Sequence, residues 1–147
     1  MAHVMSRTMP LIASLVALII CGCGPKHPPV APVKGQIFYQ GKPLQFGSVM
    51  LQPTAGPPAR GVIQPDGTFE LSTYGDKDGA IIGQHVVRIV CVESQRGLNG
   101  GPATKPAEAE FGDGKPLIPS KYSYFDSSDL KVEVKETNEP IVWKLTD

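Results

Sequence analysis

The chain holds three histidines and three cysteines, with only a few closely spaced carboxylates, so the chemistry open to it can be weighed residue by residue. A hydrolase needs a base with a nucleophile held beside it. His85 is the candidate base, but no Gly-x-Ser-x-Gly turn occurs to present a serine to it. No His-x-x-Glu pair exists either, and His27 and His85, the two histidines that remain once the N-terminal leader expected below is removed, cannot supply the three protein ligands of a catalytic zinc site. Asp76-x-Asp78-Gly79 has the opening spacing of a calcium loop, yet the position eleven after Asp76 is Val87, where such a loop requires a bidentate glutamate. These carboxylates read as a solvated polar loop. Tyr122, Tyr124 and Phe125 form the one aromatic cluster, suited to stacking on a sugar, to a protein interface, or to covering the open end of a core. The expectation is therefore no catalytic residues, no metal and no cofactor, with Tyr122, Tyr124 and Phe125 as candidate ligand-binding residues.

Two cysteines stand where a different chemistry is expected. Pro10 to Ile20 is an uncharged run of eleven residues, interrupted only by Ser14, with Arg7 ahead of it. It is too short to span a bilayer, which takes about 20 apolar residues, and fits the apolar core of a secretory leader, about 7–15 residues. The run ends in Ile20-Cys21-Gly22-Cys23-Gly24. This resembles the lipobox of bacterial lipoproteins, an apolar residue, a variable one, a small one, then the cysteine that is acylated and becomes the mature N-terminus. Cys23 fits, with Gly22 before it and Ile20 three before it; Cys21 follows the bulky Ile20 and does not. The resemblance implies a leader at 1–22, three acyl chains at Cys23, and a protein tethered to a membrane in the cell envelope, outside the cytoplasm. Gly24 lacks the aspartate that retains lipoproteins in the inner membrane of some bacteria, which points to the outer membrane.

With the leader gone, fourteen acidic residues face thirteen basic ones, since Arg7 leaves with it. A charge near zero carries no footprint for nucleic acid and no polybasic patch for anionic lipid. Cys91 then stands alone inside an apolar run, so a buried, inert thiol is expected rather than a disulfide.

Gly and Pro number 16 and 15, and they punctuate short β-branched and aromatic runs as in an all-β sandwich. Residues 23–32 read as a proline-rich, extended tether holding the domain off the membrane, with His27 solvated. A single domain follows over 33–147. The alternation predicts strands at Val33–Tyr39, Ser48–Gln52, Arg60–Ile63, Thr68–Thr73, Gln84–Val92, Leu130–Lys135 and Ile141–Leu145. Turns are expected at Gly41-Lys42-Pro43 and Pro65-Asp66-Gly67, and Gly35 and Gly61, inside strand patterns, suggest bulges or close approaches. His85, Val87, Ile89 and Cys91 should face the core, with Trp143 as its anchor. Residues 93–118 read as a long flexible loop.

Val33-Lys34-Gly35, Gly41-Lys42-Pro43-Leu44, Val49 to Pro53, Gly61, Asp66 to Leu71, Gly83 to Val87, Ile118 to Tyr122, Leu130 to Val134 and Asn138 follow one another in an order similar to bacterial lipoproteins bearing a carboxypeptidase regulatory-like, transthyretin-like (prealbumin-like) domain. The resemblance implies a seven-stranded Greek-key β-sandwich without the active site of the peptidases that such domains accompany. His85 departs from it, standing where the family usually places tyrosine, and is expected as a hydrogen-bonded, semi-buried residue. Transthyretin-related hydrolases use several histidines, an arginine and a terminal Tyr-Arg-Gly-Ser; this chain ends Trp143-Lys144-Leu145-Thr146-Asp147. The expected role is non-catalytic, binding or structural, in the envelope. The partner is then the membrane through the anchor, with an envelope protein as a further partner; a small-ligand or glycan-binding module is the alternative, and a hydrolase-like enzyme the second.

Overall fold

Strict alternation sorts the side chains of the two longest central strands. Val49 and Leu51 on one, and His85, Val87 and Ile89 on the other, turn to the same side and are at most 3% exposed. The computed structural model describes residues 27–95 and 114–147. The expected leader 1–22, Cys23 and the start of the expected tether, and the interior of the 93–118 segment lie outside the described residues.

Among the described residues ten strands are formed: β1 (Val30–Ala31), β2 (Lys34–Tyr39), β3 (Lys42–Pro43), β4 (Ser48–Pro53), β5 (Ala59–Val62), β6 (Thr68–Glu70), β7 (Ala80–Ile81), β8 (Gly83–Val90), β9 (Lys131–Val134) and β10 (Ile141–Leu145). A 3-10 turn at Ser120–Ser123 precedes β9. The chain is all-β. One sheet runs β5-β4-β8-β9, antiparallel throughout, with Val49 opposite Ile89 and Leu51 opposite Val87. The second is centred on β2, which pairs with β10 on one side and with β6 and then β3 on the other. β10 and β2 run parallel, Trp143 beside Ile37. Both sheets face one core, in which Ile37, Phe69, Trp143 and Leu145 meet Val49, Leu51, Val87, Ile89 and Val134. Arg60 and Ser72 exchange both backbone hydrogen bonds, at 2.9 and 2.8 Å, and so stitch the sheets together along the β5–β6 side.

Two glycines make this packing possible. A Cβ on Gly35 would strike the Ile141 carbonyl and stand 2.8 Å from the Phe69 ring. Its absence lets the Phe69 ring stack with Trp143 across β2, centroids 5.4 Å apart and planes within 4°. Stacked aromatic pairs add about 0.5–1.5 kcal/mol to their burial. Gly61 has a similar duty, since a Cβ there would lie 2.6 Å from the Glu70 carbonyl oxygen. Both are close approaches between strands, as their sequence setting suggested.

The turns and strand ends show where backbone groups find other partners. The Gly67 N–H donates to the Gln64 carbonyl at 2.8 Å, with Gly67 at φ 83° completing the Pro65-Asp66-Gly67 turn. The first hairpin turns at Gln40 and Gly41, both at positive φ, one residue earlier than expected, which frees Lys42 and Pro43 to form β3. The strand expected over Thr68–Thr73 stops at Glu70: Ser72 turns to Arg60 of the other sheet, and beyond it the N–H groups of Thr73, Tyr74 and Gly75 turn to the Asp78 carboxylate. β8 stops at Val90: the Cys91 carbonyl accepts from Leu117, and the Val92 N–H donates to the Gln95 side chain. Val30–Ala31, read as tether, instead pair with Ala80–Ile81, and the Ile82 N–H donates to the Pro29 carbonyl at 3.1 Å.

Candidate functional site

β8 delivers His85 into the core side of its sheet, opposite Pro53 on β4 and Val132 on β9. The imidazole is 3% exposed. Its Nδ1 lies 3.0 Å from the Gly83 carbonyl. A carbonyl only accepts, so Nδ1 carries the proton and Nε2 presents its lone pair. Nε2 is buried and has no hydrogen-bond partner among the described residues. Burial holds the pKa below the ordinary 6.5, against the Gly83 hydrogen bond, which favours the charged form. Burial therefore favours the uncharged imidazole, in the half-buried to buried setting the sequence suggested.

The Asp76–Gly79 loop is organised around one carboxylate. Asp78 accepts from the N–H groups of Thr73 (2.7 Å), Tyr74 (2.9 Å) and Gly75 (2.8 Å). Burial opposes its ionisation, but the backbone donors outweigh it and hold the carboxyl below the usual aspartate value. Its oxygens are therefore occupied by the loop itself. Lys77, at φ 55°, reaches the Glu70 carboxylate at 2.6 Å on the exposed side. Among the described residues, no group of three or more His, Cys, Asp or Glu side chains is placed to hold a metal.

The aromatic cluster divides by depth. Tyr122, in the 3-10 turn, is 3% exposed and joins the core; its hydroxyl donates to the Thr146 carbonyl at 3.0 Å and accepts from the Thr146 N–H at 3.1 Å. It thereby fastens the C-terminal residues to the segment before β9. Tyr124, two residues on, is 65% exposed. Phe125 is half-buried, with the Arg88 guanidinium 5.8 Å from its ring centroid. Only Tyr124 and Phe125 thus remain at the surface as a candidate contact.

On the outer side of the β5-β4-β8 sheet, a depression is lined by Ser48, Met50, Arg60, Gly61, Arg88 and Val90. It has room for about one water, far from the roughly 300 Å³ at which ligand pockets begin. Met50 and Val90 are nevertheless buried, at 6% and 8% exposed, although alternation turns them away from Val49, Leu51 and Ile89. The signal for this lay in the unbroken apolar runs Val49-Met50-Leu51 and Ile89-Val90-Cys91-Val92, the pattern of strands covered on both faces. Cys91 is itself buried, as its apolar run implied.

Among the described residues no helix is long and apolar enough to cross a membrane. A scan against protein-family models, a search of the curated proteins and a search of the solved structures each return no match.

Proposed function

We propose that the chain is a bacterial lipoprotein: exported, cut before Cys23, acylated there, and held on the outer side of the cytoplasmic boundary, on the outer membrane. Its all-β domain acts by binding or as an envelope scaffold and not by catalysis. The finer reading of the domain is a seven-stranded Greek-key sandwich of the transthyretin-like, carboxypeptidase regulatory-like kind. Among the described residues, seven of the ten strands are three residues or longer, which supports that count.

The observation that carries the anchor is the uncharged run Pro10–Ile20 ending in Ile20-Cys21-Gly22-Cys23. Acyl chains hold because each buried CH₂ contributes about 0.8 kcal/mol and more than one chain is present. The non-catalytic half is supported by His85, whose Nε2 has no hydrogen-bond partner among the described residues. Tyr124, beside the half-buried Phe125, is the surface proposed to meet an envelope protein or, in the second reading, a glycan. Fractionation of cells expressing the full chain tests the anchor. The native protein is expected in the detergent-soluble membrane fraction, and Cys23→Ser is expected to remain as uncleaved precursor. Normal cleavage and release of native protein into the soluble fraction would overturn the reading.

A further inference from the structure

Resting on the lipid-anchor reading, we infer that one end of the domain lies against the lipid headgroups: the end that carries His27, Tyr74 and the loop 54–58. The strands define two ends. β2 starts at the first of them with Lys34, and β10 starts beside it with Ile141 opposite Gly35. β8 starts there with Gly83, and β4 finishes there with Pro53 opposite His85. The N-terminal segment arrives at this end and is fastened to it. The Pro29 carbonyl accepts from Ile82, β1 pairs with β7, and the Asn138 amide donates to the Pro32 carbonyl at 3.2 Å. The His27 ring lies 4.4 Å from the Tyr74 ring. The opposite end carries the Gln40–Gly41 and Pro65–Gly67 turns, and Tyr122 bonded to Thr146.

Chain length then sets the distance. Only four residue steps separate Cys23 from His27. Fully extended, at about 3.6 Å each, they reach no more than about 14 Å. The acyl chains fix Cys23 at the headgroup layer, itself about 5–7 Å deep on each side of the hydrocarbon. His27 and Tyr74 are therefore held within a short reach of the headgroups. The eight residues of β8, at about 3.3 Å each, set the opposite end about 25 Å farther off when the strands stand upright. The tether does not hold the domain away from the membrane, because its second half is part of the fold.

The chemistry of this end selects the kind of surface. Thr54, Ala55, Gly56, Pro57 and Pro58 carry no charge, and Tyr74 is 38% exposed, an amphipathic ring suited to a headgroup layer. Around them Glu70, Asp76, Asp78, Glu136 and Glu139 outnumber Lys34, Lys77 and Lys135. Such an end fits zwitterionic headgroups and gains nothing from anionic lipid.

The test uses the full acylated protein in phosphatidylcholine vesicles bearing a nitroxide quencher on the headgroup. A fluorophore is attached at Ala55→Cys, Asp76→Cys or, at the opposite end, Lys42→Cys; Cys91 is buried and does not compete. Flotation with the vesicles reports the anchor separately. The expected result is flotation of all three, with several-fold stronger quenching at 55 and 76 than at 42, unchanged at high salt. Flotation with equal quenching at the three positions overturns the orientation and leaves the anchor standing. Failure to float overturns the anchor and this inference with it. A 20-residue Gly/Ser insertion after Gly24, spanning about 25 Å on average, is expected to abolish the contrast. A contrast that survives it would overturn the short tether as the cause.

Discussion

His85 keeps its Nδ1 proton on the Gly83 carbonyl and leaves Nε2 as a buried lone pair, so accepting a second proton places a charge in a buried site with no hydrogen-bond partner among the described residues. Burial lowers its pKa below the ordinary 6.5 in the folded chain. Between the folded and unfolded values the unfolded chain binds more protons, so stability rises with pH there. The neutral-state advantage is complete above 6.5 and is lost as pH falls through that value toward the folded one. Thermal melts from about pH 7.5 down to about pH 5.5 should show a falling midpoint. In His85→Gln that slope should flatten, whatever the change in the plateau; an equal slope in both proteins would assign the acid sensitivity to other groups. Asp78 adds a separate loss at lower pH. Its carboxyl sits below the usual 3.8, so the stability it contributes is present above that value and disappears as pH falls through the folded one.

At the scale of elements, the central strand β2 depends on a missing side chain. Gly35→Ala would press a methyl into the Ile141 carbonyl and the Phe69 ring, separating β10 from β2 and breaking the Phe69–Trp143 stack. Overpacking of this kind costs about 1–3 kcal/mol, to be read as a lower urea midpoint with a blue-shifted or red-shifted Trp143 emission. A midpoint equal to that of the native chain would contradict the close approach. Much of both sheets was legible, since Phe69, Leu71 and Trp143 on one side of the core and Val87 and Ile89 on the other follow a period of two that one buried face imposes. The parallel pairing of β10 with β2 was not, because partners about a hundred residues apart leave no mark of direction in either strand. β1 was hidden by its proline setting, and β3 and β7 by their two-residue length. Of the candidate site, His85 could be placed by alternation along β8. Tyr122, Tyr124 and Phe125 could not be sorted by depth, because a 3-10 turn, and not a strand, carries Tyr122 inward.

For the whole molecule, two sheets around one core are bound to their N-terminal segment by β1, by Pro29 and by the His27–Tyr74 contact. A domain built this way has two unlike ends, one uncharged and acidic-rimmed, the other carrying Tyr122 and the chain terminus. On the proposed lipoprotein reading, an anchor four residues before His27 turns that asymmetry into an orientation, with Tyr124, 65% exposed, as the proposed contact for a partner. All of this depends on the state of Cys23. Intact-mass and N-terminal peptide mass spectrometry of the protein purified from membranes tests it most directly. The account predicts a chain beginning at Cys23 and carrying a thioether-linked diacylglyceryl group with an amide-linked acyl chain. A chain beginning at Met1, or one cut elsewhere with an unmodified Cys23, would contradict it.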